Sequence, residues 1–410
     1  MARNSTHDIV IIGGGAGGIA TAASLLKRRP LLDIAIVEPQ SEHYYQPGWT
    51  MVGGGVFDAP VTCRPMASVM PERAHWIRRA AASFQPEANR VTLDDGSTIE
   101  YKLLVVAPGI RLAWEQIKGL EETLGRNGVT SNYRYDLAPY TWELVRNLKS
   151  GRAIFSQPPM PIKCAGAPQK AMYLSCDAWA ERGVLDAIDV EFRNAGGVLF
   201  GVEAYVPALM DYVARYGIDL KLQQKLVAVD SEAKTATFET IEGGETVGFD
   251  MLHAVPPQVA PDFLARSPLA QADSGFVEVD KHTLQHPRFA NVFGLGDAAS
   301  TPNAKTAAAA RKQAPIVAVN ALAVLDGRNP SALYDGYGSC PLTVERGRIV
   351  LAEFGYDGKL LPSFPRWLID GTKPHRLSWL LKSEALPWIY WNGMLKGHEW
   401  LAKPQIKQAA

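Results

Sequence analysis

The stretch HDIVIIGGGAGGIATAASLLKRR, residues 7–29, begins as an apolar strand, turns on glycines, and runs on as an alanine- and leucine-rich helix. Gly13, Gly15 and Gly18 stand in G-x-G-x-x-G spacing. In a strand-turn-helix unit the first glycine permits the tight turn and the second lets the backbone approach a pyrophosphate. The third lets helix pack on strand, and the free N–H groups at the helix start face the phosphates. Roughly twenty residues on, as such units require, DIAIVEP supplies a second strand ending at Glu38, placed to hydrogen-bond a ribose hydroxyl. Strand, glycines, helix, strand and acid together specify a dinucleotide site.

Two later segments bear on which dinucleotide. VTLDDGSTIEYKLLVVAPG (91–109) reads as a hairpin returning through a buried strand to Pro108 and Gly109, and HPRFANVFGLGDAA (286–299) as a strand ending in Gly294, Gly296 and Asp297. With the first motif these segments resemble the FAD-binding pattern of glutathione reductase-like flavoproteins. The resemblance implies FAD, with Asp297 on the ribityl chain; Asp297 also stands where it could cap the next helix. It also implies that the helix in KTAAAARKQAPIVAVNALAVL (305–325) points its positive end at the flavin, with Lys305 and Lys312 adding to that field. EHYYQPGWTMVGGG (42–55) reads as a flavin-facing loop with Pro47 and Gly48 near the ring, or as plain turn chemistry.

Length and composition bound the remainder. A chain of 410 residues holds two or three domains. Its 42 basic and 42 acidic side chains leave no global field to recruit nucleic acid. No stretch is long and apolar enough to span a bilayer, and with the first strand so near the start no export signal is expected. The four cysteines, at 63, 164, 176 and 340, are too few for a disulfide scaffold. The eight histidines lack ligand spacing, so no metal is assigned.

Residues 151–257 repeat the layout of the first unit: GRAIFSQP as a strand, a helix from about Ala167 to Glu181, VEFRNAG as the next strand, then LHAVPP. The turn that would carry glycines is instead QPPMPIKCAGAPQK (157–170), with four prolines. Proline removes donors and fixes the backbone, so this turn does not cradle a pyrophosphate and NADH is not the expected electron donor. It holds Cys164, near a helix start and one residue after Lys163; helix end and ammonium both favour the thiolate. Cys340, in YDGYGSCPLTVERGRIVLAEFGYDG (334–358), also lies in a glycine- and proline-marked turn. Cys63 and Cys176 read as packing cysteines.

PIKCAGAPQKAMYL and YGSCPLTVERGRIVLAEFGYDG, taken with the FAD motifs and the tail, resemble the sulfide:quinone oxidoreductases over nearly the whole chain, in particular their type II branch. The resemblance implies that Cys164 and Cys340 form a redox-active pair on one face of the FAD. Other branches use a third cysteine ahead of the pair, and none lies between Cys63 and Cys164. Sulfide would open the oxidised bridge, leaving a persulfide on Cys340 and a Cys164 thiolate that hands two electrons to the flavin. A membrane quinone, ubiquinone or menaquinone, would take the electrons, and a small thiol or second sulfide the sulfur. The rivals are a type II NADH:quinone dehydrogenase, a flavocytochrome sulfide dehydrogenase and a flavin-bound redox sensor.

The expected fold is α/β, with two Rossmann-like dinucleotide-binding domains and a C-terminal amphipathic helical membrane-docking segment. Residues 1–112 and 258–330 would form the FAD domain, 113–257 the second, and 331–410 the region carrying Cys340 and the tail. From Lys359 to Ala410 there are eight basic residues against three acids and five of the ten tryptophans. This composition suits a headgroup layer. HRLSWLLKSEALPWIYW (375–391) reads as an interfacial helix broken at Pro387, or as a helix packed on the protein's own body or on a second copy. Since every dinucleotide motif precedes it, the tail is expected to be separable from the flavin site. The protein is expected on the cytoplasmic face of the inner membrane as a peripheral protein, with a homo-oligomer open.

Overall fold

Ile9, Val10, Ile11 and Ile12 form the end of the central strand Ser5–Ile12 of a seven-stranded sheet in the computed structural model, which describes residues 5–406. Ile9 and Ile11 face one apolar layer, whereas Val10 and Ile12 face another. Burial on both faces explains why the run is continuously apolar. Ser5–Ile12 lies between Ile34–Val37 and Thr98–Val106, parallel to both. The strand Thr98–Val106 pairs by its second half with Val292–Gly294 and by its first half with the antiparallel Arg90–Leu93. All four strands expected around the glycine turn therefore end on one edge. The helices Ala16–Arg28 and Ala307–Leu325 share the apolar layer beneath it.

A second sheet of five parallel strands runs Val129–Thr130, Met251–His253, Gly151–Gln157, Ile188–Asn194, Asp219–Leu222. The helix Ala167–Glu181 packs on it, buried along almost its whole length. Where the chain crosses between the two sheets, Arg111–Leu112 pairs with Gln258–Val259. The three-stranded antiparallel sheet Lys225–Asp230, Thr235–Thr240, Gly243–Gly248 is an element that the residue pattern does not separate out.

After the long helix, the chain forms the hairpin Gly338–Glu345 and Arg348–Phe354, with Pro374–His375 alongside. Leu342, Val344 and Val350 of this hairpin pack with Met172, Cys176 and Trp179 of the helix Ala167–Glu181. Cys340 is thus in a strand on the second sheet's own core, rather than in a turn.

The tail corrects two expectations. Helical backbone continues through Pro387: the turns Arg376–Leu380, Leu381–Ala385, Leu386–Trp388, Ile389–Gly393 and Met394–Lys396 succeed one another without a break. The segments 381–385 and 389–393 are widened π turns, and such widening accommodates the missing proline N–H that would end an ordinary helix. The tail is also not an appendage. Ser378, Lys382, Tyr390, Trp391 and Leu395 are buried in the protein, while Leu377, Leu380 and Trp388 face outward. The tryptophans accordingly divide: Trp391 is buried under the Arg64 guanidinium, Trp379 is half-buried, and Trp367, Trp388 and Trp400 are exposed. Among the described residues no helix is long and apolar enough to cross a membrane. Residues 1–4 and 407–410, the outer ends of the expected domains, including the tail cation Lys407, lie outside the described residues.

Candidate functional site

The glycines of the first turn divide into two kinds. Gly13 has φ +102° and a side chain there would overlap the Ala107 carbonyl oxygen; one on Gly18 would overlap the carbonyl oxygen of Gly13. Both are needed by the turn itself. Gly15 faces open space, and so do Gly109 and Gly296, which arrive from the ends of two other strands. Glu38 stands at the mouth of the turn, where its Oε2 accepts from Gly14 N at 2.8 Å and its Oε1 from Gln40 N at 2.8 Å. His43 lies behind it. Its Nδ1 donates to the Gly14 carbonyl at 3.1 Å, so its Nε2 accepts from Tyr390 Oη at 2.7 Å, and burial lowers the ring to about 4.

Asp297 follows Gly296 in a single tight turn, and burial raises its carboxyl. It does not cap the following helix: Thr306 Oγ1 does, accepting from Ala309 N at 3.1 Å. Lys305 Nζ donates to the carbonyls of Asp297 (2.9 Å) and Ala299 (2.7 Å), and burial lowers it to about 8. Gln313 Oε1 accepts from Gly296 N at 2.7 Å while its Nε2, like Thr301 Oγ1, is buried without a partner. Open glycine faces on three segments, with orphaned polar atoms beside one of them, fit an extended dinucleotide. Pro47 sits in the short turn Gln46–Gly48, which reaches the second unit through a 2.8 Å bond from Lys163 Nζ to Gln46 Oε1. Lys312 lies over the Tyr337 ring at 5.2 Å and lines a surface cleft with Lys27.

The second turn is built differently. Lys163 pairs with Lys305 as an isolated bridge, and Cys164 N donates to Lys305 O at 2.8 Å. Tyr133 Oη donates to the carbonyls of Lys163 (3.0 Å) and Cys164 (3.3 Å). These bonds hold Cys164 in the left-handed region, at φ +50°, an uncommon conformation for a side-chain-bearing residue and one that recurs at functional sites. Its sulfur lies 3.7 Å from that of Cys340. Gly166 makes the approach possible, since a Cβ there would lie 2.6 Å from Cys340 Sγ.

The two cysteines are matched to a cation. Lys170 Nζ donates to Cys164 Sγ at 3.0 Å and lies 3.8 Å from Cys340 Sγ. The hydrogen bond from the Cys340 thiol and the Lys170 ammonium hold Cys164 well below the usual thiol range. Cys340 is pushed up, because its proton is bonded to Cys164 and its sulfur is buried. Lys170 is buried, which opposes its charge, but the two sulfurs more than restore it. Lys382 from the tail helix is buried in the same electrostatic cluster; burial and then Lys170 bring it down to about 7. The arrangement provides one poised thiolate, one protonated partner and a cation able to follow charge between them.

Lys163, expected to favour the thiolate, turns instead to Gln46, and Lys170 takes that role. Lys382, counted among the tail's lipid-facing cations, is an interior residue of the sulfur site. The tail therefore contributes a buried cation to the sulfur site. A lysine on a helix buried nearly all round, six residues after a loop cysteine and without an acid beside it, is the signal for Lys170. No local signal marks Lys382. Cys176 is buried in the core, where burial raises its thiol, and Cys63 Sγ donates to Glu42 Oε2 at 2.8 Å, its thiol pushed to about 12 by burial and that contact. Neither reaches the pair.

The family model "Pyridine nucleotide-disulphide oxidoreductase" matches residues 7–158. A mitochondrial sulfide:quinone oxidoreductase of Dictyostelium discoideum is 43% identical over 96% of this chain and 87% of its own length. Its counterpart from Mus musculus is 39% identical with the same shares covered. The crystal structure of the sulfide:quinone oxidoreductase from Aquifex aeolicus superposes with a TM-score of 0.79 at 22% identity, over 94% of this chain and 92% of that one, which shows a shared fold.

Proposed function

The chain belongs to the sulfide:quinone oxidoreductase family, and from that premise we propose how its own residues carry out the reaction. It is an FAD-dependent enzyme that oxidises sulfide to sulfane sulfur and reduces a quinone. The observation that carries the residue assignment is the Cys164–Cys340 pair at 3.7 Å with Lys170 beside it. In the oxidised pair, hydrosulfide attacks Cys340 Sγ, an S–S bond forms there, and the Cys164–Cys340 bond breaks with its electrons on Cys164. Lys170 favours this direction because a stabilised thiolate is the better leaving group. A small thiolate or a second hydrosulfide then removes the outer sulfur, leaving Cys340 as a thiolate. Closing the pair again releases two electrons. In sum, one hydrogen sulfide, one thiol and one quinone become one hydropersulfide and one quinol, with two hydrogens passing to the quinone.

Bound FAD supplies the two-electron relay between dithiol and quinone. Gly15, Gly109 and Gly296 would leave room for it, Glu38 would take the adenosine ribose, and Asp297 the ribityl chain. Pro47 is assigned to the flavin's surroundings on the sequence pattern alone; Lys312, expected there on the same pattern, lines a surface cleft with Lys27 instead. Residues 1–112 and 258–330 are read as the FAD domain, 113–257 as the second and 331–410 as the redox and docking region. The absence of a cysteine between 63 and 164 supports the type II branch.

Peripheral membrane attachment, on the cytoplasmic face of an inner membrane, is part of the same reading. It is supported by the outward Leu377, Leu380 and Trp388 of the tail helix and by Trp367, which is 85% exposed. Exposed apolar side chains gathered on one helix face mark an interaction surface, and a quinone is held in the bilayer. Protease access in inverted membrane vesicles tests the side. For the reaction, sulfide and NADH are added separately, without oxygen, to the yellow holoenzyme. Sulfide should bleach the flavin within the mixing experiment and NADH should not. Stoichiometric bleaching by NADH would restore the dehydrogenase reading.

A further inference from the structure

A cleft of about 1280 Å³, lined by neither cysteine of the pair, lies between the end of helix Ala16–Arg28, the helix Ala307–Leu325, the segments around Tyr337 and Pro362, and the residues that follow the tail helix. Three lysines from distant parts of the chain converge on it: Lys27, Lys312 and Lys403. None of them makes an ion pair among the described residues; Lys27 meets only the imidazole Nδ1 of His398, at 3.1 Å. The cleft's other cation, Arg28, is already bound through both Nη atoms to Glu399, at 2.5 and 2.9 Å, which leaves Asp335 as the one carboxylate of the lining not so engaged. The lining thus holds four cations, Lys27, Arg28, Lys312 and Lys403, against two carboxylates, Asp335 and Glu399, a net surplus of positive charge.

The same lining also carries exposed apolar side chains. Trp400 and Leu401 line the cleft and are 45% and 59% exposed. Trp400 is stacked between His398, at 4.9 Å, and Trp388, at 5.6 Å and 6°. Trp388 belongs to the outward face of the tail helix, so the cleft opens onto the apolar surface read above as the docking face. A lining with surplus cations beside exposed aromatic and aliphatic side chains is complementary to an amphiphile with an anionic head, and a soluble anion would use only half of it.

We propose that this cleft seats the phosphate headgroup of an anionic phospholipid, with its acyl chains lying against Trp400, Leu401 and Trp388. The proposal rests on the membrane reading of the tail and sharpens it, from general attraction to one site with a defined ligand class. It predicts that attachment depends on which lysines are present and not only on how many.

The test uses the full-length holoenzyme and flotation with two kinds of vesicle, pure phosphatidylcholine and phosphatidylcholine containing phosphatidylglycerol. The variant Lys27→Gln/Lys403→Gln is compared with Lys118→Gln/Lys149→Gln, which removes equal charge from exposed lysines elsewhere. Affinity for the anionic vesicles should fall about tenfold or more in the first and stay within about twofold in the second. Lys27→Arg/Lys403→Arg should retain it, and inorganic phosphate at matched ionic strength should not displace the vesicles. Equal losses in both double variants, or displacement by phosphate alone, would overturn the lipid site while leaving the docking reading intact. So would normal flotation of the cleft variant with a raised KM for a short-chain quinone, which would assign the cleft to the quinone's path. A wild-type protein that floats with neither vesicle overturns the docking reading, and the lipid site with it.

Discussion

The molecule uses the same strand-turn-helix construction twice, after Ser5–Ile12 and after Gly151–Gln157, and fills the two turns with opposite chemistry. In the first turn the close-packed glycines shape the backbone and Gly15 leaves space over it. In the second, the space beside Gly166 is occupied by the Cys340 sulfur, and the ammonium of Lys170 stands by the sulfurs. The scaffold therefore does not decide between holding a dinucleotide and carrying out sulfur chemistry. What decides is whether another part of the chain is brought into the turn.

The comparison breaks most sharply at the sulfurs. Cys164→Ser or Cys340→Ser should leave the flavin bound and lower sulfide-dependent quinone reduction by roughly a thousandfold or more, because neither sulfur forms a bridge alone. Cys63→Ser and Cys176→Ser should stay close to wild type in the same assay. Near-normal turnover in either member of the pair would mean that the second turn is not the reaction site.

Two substitutions separate the roles within the first turn. Gly18→Ala should destabilise even the apoprotein, by about 2–3 kcal/mol, since the new methyl overlaps backbone that has nowhere to go. Gly15→Ala should leave apoprotein melting unchanged and weaken FAD retention, by about tenfold or 1.4 kcal/mol. If the two variants behave alike, the division into shaping and ligand-facing glycines is wrong.

Lys170→Met should reduce turnover at neutral pH by about one to two orders of magnitude, with recovery as pH rises. Lys170 holds the Cys164 thiol down, so its loss moves thiolate formation to higher pH. Alkylation of the reduced protein by iodoacetamide reads this directly, and an unchanged alkylation profile would exclude Lys170 as the positioning cation.

The smallest effect is expected at Lys382. Its amine is lowered to about 7 in the fold against an ordinary 10.5, so between these values the unfolded chain binds the proton and the folded protein does not. Stability from this group therefore rises as pH increases across that window and is lost as pH falls towards 7. Lys382→Met should flatten that part of the melting-temperature profile and leave flavin binding in place.

Much of this organisation was legible in the residues themselves. Gly13, Gly15, Gly18 and Glu38 act through local backbone geometry, which spacing records, and Cys164 stood out because it occupies a turn where glycine would otherwise be needed. Lys170 left only a weak mark, its place six residues after a loop cysteine, because which face of a buried helix meets a sulfur is set by packing against the hairpin that carries Cys340. Lys382 was misassigned for a related reason: in a basic, tryptophan-rich tail one lysine looks like another, and only docking of the helix buries this one. Pro387 misled because proline ordinarily ends a helix, and the compensating π turns leave no mark in composition.

His43 has a further consequence. Through one imidazole, held neutral, the Gly14 carbonyl of the first turn is tied to the hydroxyl of Tyr390 in the tail helix. Two buried hydrogen bonds of about 1 kcal/mol each are enough to make the cofactor turn and the carboxy-terminal helix parts of one cooperative unit. The coupling runs both ways: loss of the Tyr390 hydroxyl loosens the turn around Gly14, and a malformed turn loosens the seat of the tail helix.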